Sequence, residues 1–106
     1  MYYIAFVNAP DMEVARELAK TVLEKRLAAC ANLLSGLESH YWWEGKLCCE
    51  NEVLLILKTN AENLPRLESH VLEVHPYDTP EFVSWGIDSG NKKYLDWVSS
   101  NTVISE

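Results

Sequence analysis

The segment Glu52-Val-Leu-Leu-Ile-Leu-Lys-Thr59 contains five consecutive apolar residues, from Val53 to Leu57. Side chains on a β-strand alternate between the two faces of a sheet, so an unbroken apolar run is apolar on both faces. The run Tyr2-Tyr-Ile-Ala-Phe-Val7 has the same character. An antiparallel sheet with one face in water would show alternation instead. Both segments therefore predict strands that are covered on two sides.

Hydrophobic periodicity predicts the elements around these strands. Asp11 is positioned to cap a helix in which apolar residues recur at three- and four-residue steps from Met12 to Leu23. Asn63 opens a second helix, which ends before Pro76, and Asn91 starts a short C-terminal helix. The second strand is predicted at residues 28–34 and, beyond a break at Ser35-Gly36, at residues 38–43. The third is predicted at residues 46–59 and the fourth at residues 81–87.

The predicted order is β-α-β-β-α-β followed by a helix, which is the ferredoxin-like split β-α-β arrangement of the α+β class. A length of 106 residues suits one domain, so we assign residues 1–106 to it. Two helices cover one face of such a sheet, and one short helix covers only part of the other. Burial of the remaining apolar surface predicts a homo-oligomer.

A two-residue turn at Glu44-Gly45 predicts a hairpin between the second and third strands. The turn would place Tyr41 opposite Cys48 and His40 opposite Cys49. The hairpin is longer than usual strands, with a bulge expected at Ser35-Gly36. Its tip carries aromatic residues that we expect to pack on a neighbouring subunit, namely Tyr41, Trp42 and Trp43.

Composition excludes several function classes. A net charge of −7 and a pI near 4.9 argue against nucleic acid or an anionic membrane as a partner. No apolar run reaches the length of a membrane span, and the N-terminus does not resemble a signal peptide. Three cysteines, an odd number, fit reduced thiols. We therefore expect a cytoplasmic protein, and, because enzyme motifs are missing, no catalytic residues are assigned.

Five segments, in order along the chain, carry a recognisable pattern. They are Arg26-Leu-Ala-Ala-Cys-Ala-Asn32, Tyr41-Trp-Trp-Glu-Gly-Lys46, Glu52-Val-Leu-Leu-Ile-Leu-Lys-Thr59, Val74-His-Pro-Tyr-Asp-Thr-Pro-Glu81 and Gly90-Asn-Lys-Lys-Tyr-Leu-Asp-Trp97. Together these segments resemble the CutA family, also called divalent-cation tolerance proteins. The resemblance implies a ferredoxin-like fold, a tight homotrimer knitted together by long hairpins, and tolerance to copper and other divalent metals without an established reaction.

The resemblance also implies a copper site that this chain keeps only in part. Some bacterial members place a cysteine at the end of the first strand and a His-His pair before Pro-Tyr. The corresponding residues here are Val7 and Val74, and only His75 remains. His75 is therefore either a metal ligand or a cap on the second helix.

Two further groups of residues are candidates for binding. His40 and Cys49, opposite each other in the hairpin, either share a soft metal ion or are adjacent by coincidence. A second group would line a cleft between subunits, although a salt bridge, a core position or a solvated surface would also suit its members, which are Cys30, Lys58, Tyr77 and Glu81.

Two other functions fit the same fold. One is a non-catalytic trimeric scaffold whose ligand is another protein. The other is a small-ligand sensor similar to the P-II signalling trimers, although the long basic loop that would hold nucleotide phosphates is not apparent. The sequence leaves the physiological metal and the protein partner open.

Overall fold

The computed structural model describes residues 1–102 as four strands and three helices. In chain order they are β1 (Tyr2–Ala9), α1 (Met12–Glu24), β2 (Cys30–Trp43), β3 (Lys46–Asn60), α2 (Leu64–Val74), β4 (Val83–Gly86) and α3 (Lys92–Ser100). The predicted element order and the α+β class are confirmed. No helix within residues 1–102 has the length and apolar character needed to cross a membrane.

The sheet has the strand order β2-β3-β1-β4, and every neighbouring pair is antiparallel. Strands β1 and β2 are therefore parallel to each other with β3 inserted between them. Strands β3 and β4 are likewise parallel with β1 between them. The chain thus forms two interlocked split β-α-β units, as the sequence predicted.

The core lies between the sheet and helices α1 and α2. The register of β1 against β3 places small residues opposite large ones, so that Ala5 faces Leu57 and Val7 faces Leu55. These side chains are fully buried, together with apolar residues of both helices such as Leu18, Val22, Leu67 and Val71. The apolar periodicity of each helix therefore points to this face of the sheet.

Side-chain caps fix the start of two helices. The Oδ1 atom of Asp11 accepts a hydrogen bond from the Val14 backbone at 2.8 Å and begins α1. Asn91 accepts bonds from the backbones of Lys93 and Tyr94 and begins α3. Asn63 also precedes a helix, α2, but without a side-chain cap. Asp11, as predicted, and Asn91 thus satisfy backbone donors that the helix leaves free.

Two strand boundaries differ from the sequence prediction. Strand β4 begins at Val83 rather than at residue 81, because pairing with β1 starts at Phe6 opposite Val83. Glu81 instead directs its side chain to Asn8. Strand β2 begins at Cys30 rather than at residue 28.

The β2–β3 hairpin has the predicted register. Tyr41 lies opposite Cys48 and His40 lies opposite Cys49. Glu44 and Gly45 both have positive φ angles, 50° and 79°, as a type I′ turn requires. A register shift between Leu34 and Leu37 is the predicted bulge. Strands of 14 and 15 residues extend the molecule to 44 Å in its longest dimension.

The face of the sheet opposite α1 and α2, which we call the open face, is covered only at one end. Helix α3 packs there, with Val98 buried and the Tyr2 hydroxyl 2.7 Å from Ser99 Oγ. Elsewhere large apolar side chains remain accessible, with Leu34 57% exposed and Trp85 44% exposed. Four more apolar side chains on this face are half-buried, namely Ile4, Phe6, Leu54 and Ile56. The expected partial cover by the C-terminal helix is thus observed.

The hairpin turn yields the first prediction. Glu44 occupies a left-handed conformation that asparagine tolerates better than glutamate. Glu44→Asn should therefore raise the free energy of unfolding by about 0.5–1 kcal/mol. Urea denaturation of wild type, Glu44→Asn and Glu44→Ala would test this. Equal stability of the two variants would contradict the role assigned to the φ angle, because alanine keeps the strain.

Candidate functional site

The two faces of the β2–β3 hairpin carry different chemistry. Alternation along the strands places Tyr41, Cys48 and Glu50 on the face continuous with the open face of the sheet. Glu38 and Cys49 lie on the opposite face. The hairpin therefore presents two candidate sites, one on each face.

A cavity of about 670 Å³ lies on the first face, between the hairpin and the loop that joins α2 to β4. The described residues of its wall include four carboxylates and neither Lys nor Arg. The carboxylates belong to Glu50, Glu52, Asp78 and Glu81, and His40 borders the same space. We call it the acidic cavity. Its wall produces a negative potential that attracts cations.

A hydrogen-bond network holds the inner end of the acidic cavity. The Asn8 Nδ2 atom donates to Glu52 Oε1 at 3.4 Å and to Glu81 Oε1 at 3.2 Å. The Tyr77 hydroxyl donates to Glu52 Oε2 at 2.6 Å. The Glu52 side chain is buried, with 8% exposure, so these donors replace the water that a carboxylate otherwise binds.

Burial and contacts with carboxylates raise the pKa values of three groups around the acidic cavity. Desolvation, with the negative charge of Glu52 second, raises the pKa of Glu81. Burial, followed by the hydrogen bond to Glu52, raises the pKa of Tyr77. Nearer the hairpin tip, the Tyr41 hydroxyl donates to Glu50 Oε1 at 2.7 Å, and this bond raises the pKa of Tyr41 to about 12. Both phenols therefore stay protonated and serve as donors at neutral pH.

His75 connects the end of α2 to β1. Its Nε2 atom lies 2.6 Å from the Asn8 carbonyl oxygen, and its Nδ1 atom accepts a hydrogen bond from the Tyr77 backbone at 3.1 Å. Only the Nε2–H tautomer satisfies both bonds. The imidazole therefore does not bond the carbonyls of its own helix. His75 is the C-cap residue of α2 through its backbone, whose N–H donates to the Val71 carbonyl at 2.9 Å.

The geometry around His75 leaves no ring nitrogen free for a metal. The side chain is 7% exposed, and a metal would have to displace one of its two hydrogen bonds. Val7, where some relatives were expected to place a cysteine, is fully buried in the core, and Val74 is 45% exposed. A metal role for His75 stays a prediction.

The four residues predicted to line a cleft fall into two places within one chain. Tyr77 and Glu81 border the acidic cavity. Cys30 and Lys58 lie opposite each other at the far end of β2 and β3, and both contact Asn32 Oδ1, at 3.6 Å and 2.9 Å. Lys58 borders a smaller cavity beneath α3. A cleft formed jointly by two subunits stays a prediction.

The second face of the hairpin holds three potential metal ligands, which we call the hairpin triad: Glu38, His40 and Cys49. Their ligand atoms all lie within 4.8 Å of one another, and all three side chains are exposed. The His40 Nε2 atom is 2.9 Å from Glu38 Oε2 and 3.7 Å from Cys49 Sγ. The sequence indicated the His40–Cys49 pair but missed Glu38, although its two-residue spacing from His40 is the signal of a shared strand face.

The aromatic tip of the hairpin is accessible in the single chain. Trp42 is 72% exposed and Trp43 is 44% exposed, while Tyr41 is half-buried. Leu47, which pairs with Trp42 across the hairpin, is 67% exposed. The tip thus has apolar surface that residues 1–102 do not cover.

Comparison with known proteins identifies related sequences over almost the whole chain. The family described as "CutA1 divalent ion tolerance protein" matches residues 3–101. A divalent-cation tolerance protein CutA from Thermus thermophilus is 43% identical over 102 residues, which cover 96% of this chain and 99% of that protein. A rice protein named "CutA 1, chloroplastic" is 42% identical over 93% of this chain, which spans only 56% of the rice protein.

Solved structures share the fold. The crystal structure of CutA1 from Oryza sativa superposes with a TM-score of 0.95 at 41% identity, and the match covers 98% of this chain and 95% of that one. The α+β fold is therefore the same in both proteins.

The acidic cavity predicts a pH dependence of stability. The pKa of Glu81 is raised above its ordinary value of 4.5, so the folded state binds more protons than the unfolded state above that pH. Stability should therefore fall as pH rises from about 4.5 through the folded-state pKa. In Glu81→Gln this part of the decline should be absent.

Urea denaturation at a series of pH values would measure the effect. Glu62→Gln, which removes an exposed carboxylate outside the cavity, is the matched control and should keep the wild-type profile. Parallel profiles for wild type and Glu81→Gln would contradict a raised pKa of Glu81 in the folded state.

Proposed function

The chain belongs to the CutA1 divalent ion tolerance family, and from this membership we propose that it acts as a homotrimer that binds a divalent cation, copper included, in metal tolerance. We propose binding rather than catalysis, because the family and the Thermus relative are named for tolerance and not for a reaction.

The observation that supports cation binding is the charge of the acidic cavity. Its four carboxylates have no Lys or Arg among the described residues of the wall, and the whole chain has a net charge of −7. A cleft lined by one sign of charge concentrates counter-ions and speeds their association. The cavity therefore favours a cation over an anionic metabolite. This preference argues against the alternative function as a sensor of anionic ligands.

The homotrimer is supported by the open face. Leu34 and Trp85, together with Val83, which is 49% exposed, form apolar surface that α3 does not reach. Its burial between subunits would contribute on the order of 25 cal/mol per Å². The exposed Trp42 at the hairpin tip supplies further contact area. A closed ring of copies covers such surfaces without leaving new ones exposed, and resemblance to the family implies three copies.

We place this activity in the cytoplasm, on the basis of the cysteines. Cys30, Cys48 and Cys49 are all free thiols in the structure, a state that reducing compartments maintain. The rice relative is named as chloroplastic, so proteins of this family do not all share one compartment.

The oligomer can be tested on the open face. Leu34→Glu would place a charge in the proposed subunit interface, so we expect a mass near one chain of 12.1 kDa where wild type gives a trimer. Light scattering coupled to gel filtration measures the mass. Leu72→Glu is the matched control, since Leu72 is also exposed, at 45%, but lies on α2. A wild-type protein that is folded and monomeric would overturn the homotrimer.

The role of the acidic cavity can be tested with purified, untagged protein. Calorimetry should show saturable binding of a transition-metal cation, and expression should protect a copper-sensitive strain that lacks its own tolerance protein. The double variant Glu50→Gln/Glu81→Gln should bind more slowly and with a weaker dependence on ionic strength.

The control for that variant must change the net charge equally. Glu62→Gln/Glu68→Gln removes two exposed carboxylates outside the cavity. Association rates that fall equally in both double variants would assign the effect to net charge rather than to the cavity. A wild-type protein without saturable cation binding would contradict the proposed function itself.

A further inference from the structure

We infer that the cation is coordinated by the hairpin triad of Glu38, His40 and Cys49, and that it belongs to the thiophilic class of zinc and copper rather than to the class of magnesium and calcium. The inference rests on the proposed function and assigns it a location and a ligand chemistry. The acidic cavity would attract the ion, and the triad would hold it.

The fold, rather than chance contact, brings the three ligands together. The antiparallel register places His40 directly opposite Cys49, and Glu38 precedes His40 by two residues on the same face of β2. A slip of one residue would separate them onto opposite faces. The type I′ turn and the bulge on either side of the triad prevent such a slip.

The distances between ligand atoms are close to those of a shared ion. Zinc bonds of about 2.3 Å to sulfur and 2.0–2.1 Å to nitrogen or oxygen, in tetrahedral geometry, imply separations of about 3.6 Å from sulfur to either atom. The observed separations from Cys49 Sγ are 3.7 Å to His40 Nε2 and 3.6 Å to Glu38 Oε2.

Only one separation has to change. His40 Nε2 and Glu38 Oε2 are 2.9 Å apart as a hydrogen-bonded pair, whereas two ligands of one tetrahedral ion lie about 3.4 Å apart. The side chains are 61% and 62% exposed, so a shift of about half an ångström disturbs no packing. Three protein ligands would leave the fourth position of the ion to water.

The donor set selects the class of cation. A thiolate and an imidazole prefer zinc and copper, whereas magnesium and calcium prefer sites made of oxygen alone. On binding, the thiol of Cys49 releases its proton to water and its sulfur donates an electron pair to the ion; no atom is oxidised or reduced. His40 would bind as the neutral imidazole and would give up its hydrogen bond to Glu38.

The acidic cavity and the triad are connected through His40. His40 is among the residues that border the cavity, and its Nε2 atom belongs to the triad on the other face of the hairpin. The carboxylates of Glu50 and Glu52 would therefore concentrate cations close to the triad. By contrast, both nitrogens of His75 are already hydrogen-bonded within the protein.

Cobalt(II) provides the test, because a cobalt–thiolate bond gives a charge-transfer band in the near ultraviolet that reports the ligand directly. Wild type should show this band, and zinc should displace the cobalt. Cys49→Ser should lose the band and bind zinc at least about tenfold more weakly, since even indirect partners of a metal ligand contribute tenfold or more.

The neighbouring cysteine is the matched control. Cys48 belongs to the other face of the hairpin, so Cys48→Ser should keep both the band and the zinc affinity. His40→Ala should weaken zinc binding at least about tenfold, whereas His70→Ala, on α2, should not. Circular dichroism establishes that each variant is folded.

The outcomes separate this inference from the proposed function. Zinc binding by wild type that survives unchanged in Cys49→Ser and His40→Ala would overturn the triad and leave the cation-binding function intact at another site. Absence of saturable binding in wild type would overturn both. Magnesium binding with an affinity equal to that of zinc would contradict the assigned class of cation.

Discussion

The structure depends on a single constraint: β3 is apolar on both of its faces and must be covered from two sides. One side is covered within the chain, where Leu55 and Leu57 pack under α1 and α2. The other side carries Leu54 and Ile56, which stay half-buried because α3 reaches only one end of the sheet. Since apolar surface in water is costly, the same strand that organises the domain also favours assembly.

The long hairpin extends this strand beyond the domain and changes its chemistry. From Val53 to Leu57 the core-facing residues of β3 are apolar, whereas the part nearer the tip carries Glu52, Glu50 and two cysteines. This arm lies outside the layer of core packing, so ligand-type side chains remain accessible on it. Alternation of the strand then assigns Glu50 and Glu52 to one face and the hairpin triad to the other.

Buried polar groups tie the arm to the domain. Glu52 is buried, and it receives hydrogen bonds from Asn8 on β1 and Tyr77 after α2. His75 bonds to the backbone of Asn8 and positions Tyr77 through its Nδ1 atom. A charged group at this depth is stable only when donors surround it, so the network fixes the loop against the sheet. His75 thus has a structural task that its position next to proline did not reveal.

Local pattern was enough to determine most of the fold. Periodicity located the helices, the apolar runs located the strands, and Glu44-Gly45 fixed the hairpin register that places His40 opposite Cys49. These features depend on neighbours within one or two turns of chain, or on the strict alternation of a strand. The error in β4 has a different origin. This strand is shorter than predicted because pairing with β1, and not local composition, sets where it begins.

Only the tertiary structure decided which distant residues meet. Asn8 and Glu81, which are in contact, are separated by 73 positions in the sequence, and Tyr77 and Glu52 by 25 positions. A motif of fixed spacing therefore could not predict the acidic cavity. Glu38 was identified as a third candidate ligand beside His40 and Cys49 only from the side-chain positions in the structure. The sequence is enough to identify the apolar faces of strands and helices, because the hydrophobic character of each residue does not depend on its distant neighbours. The convergence of polar groups is a property of the folded chain, because it depends on how loops cross the sheet.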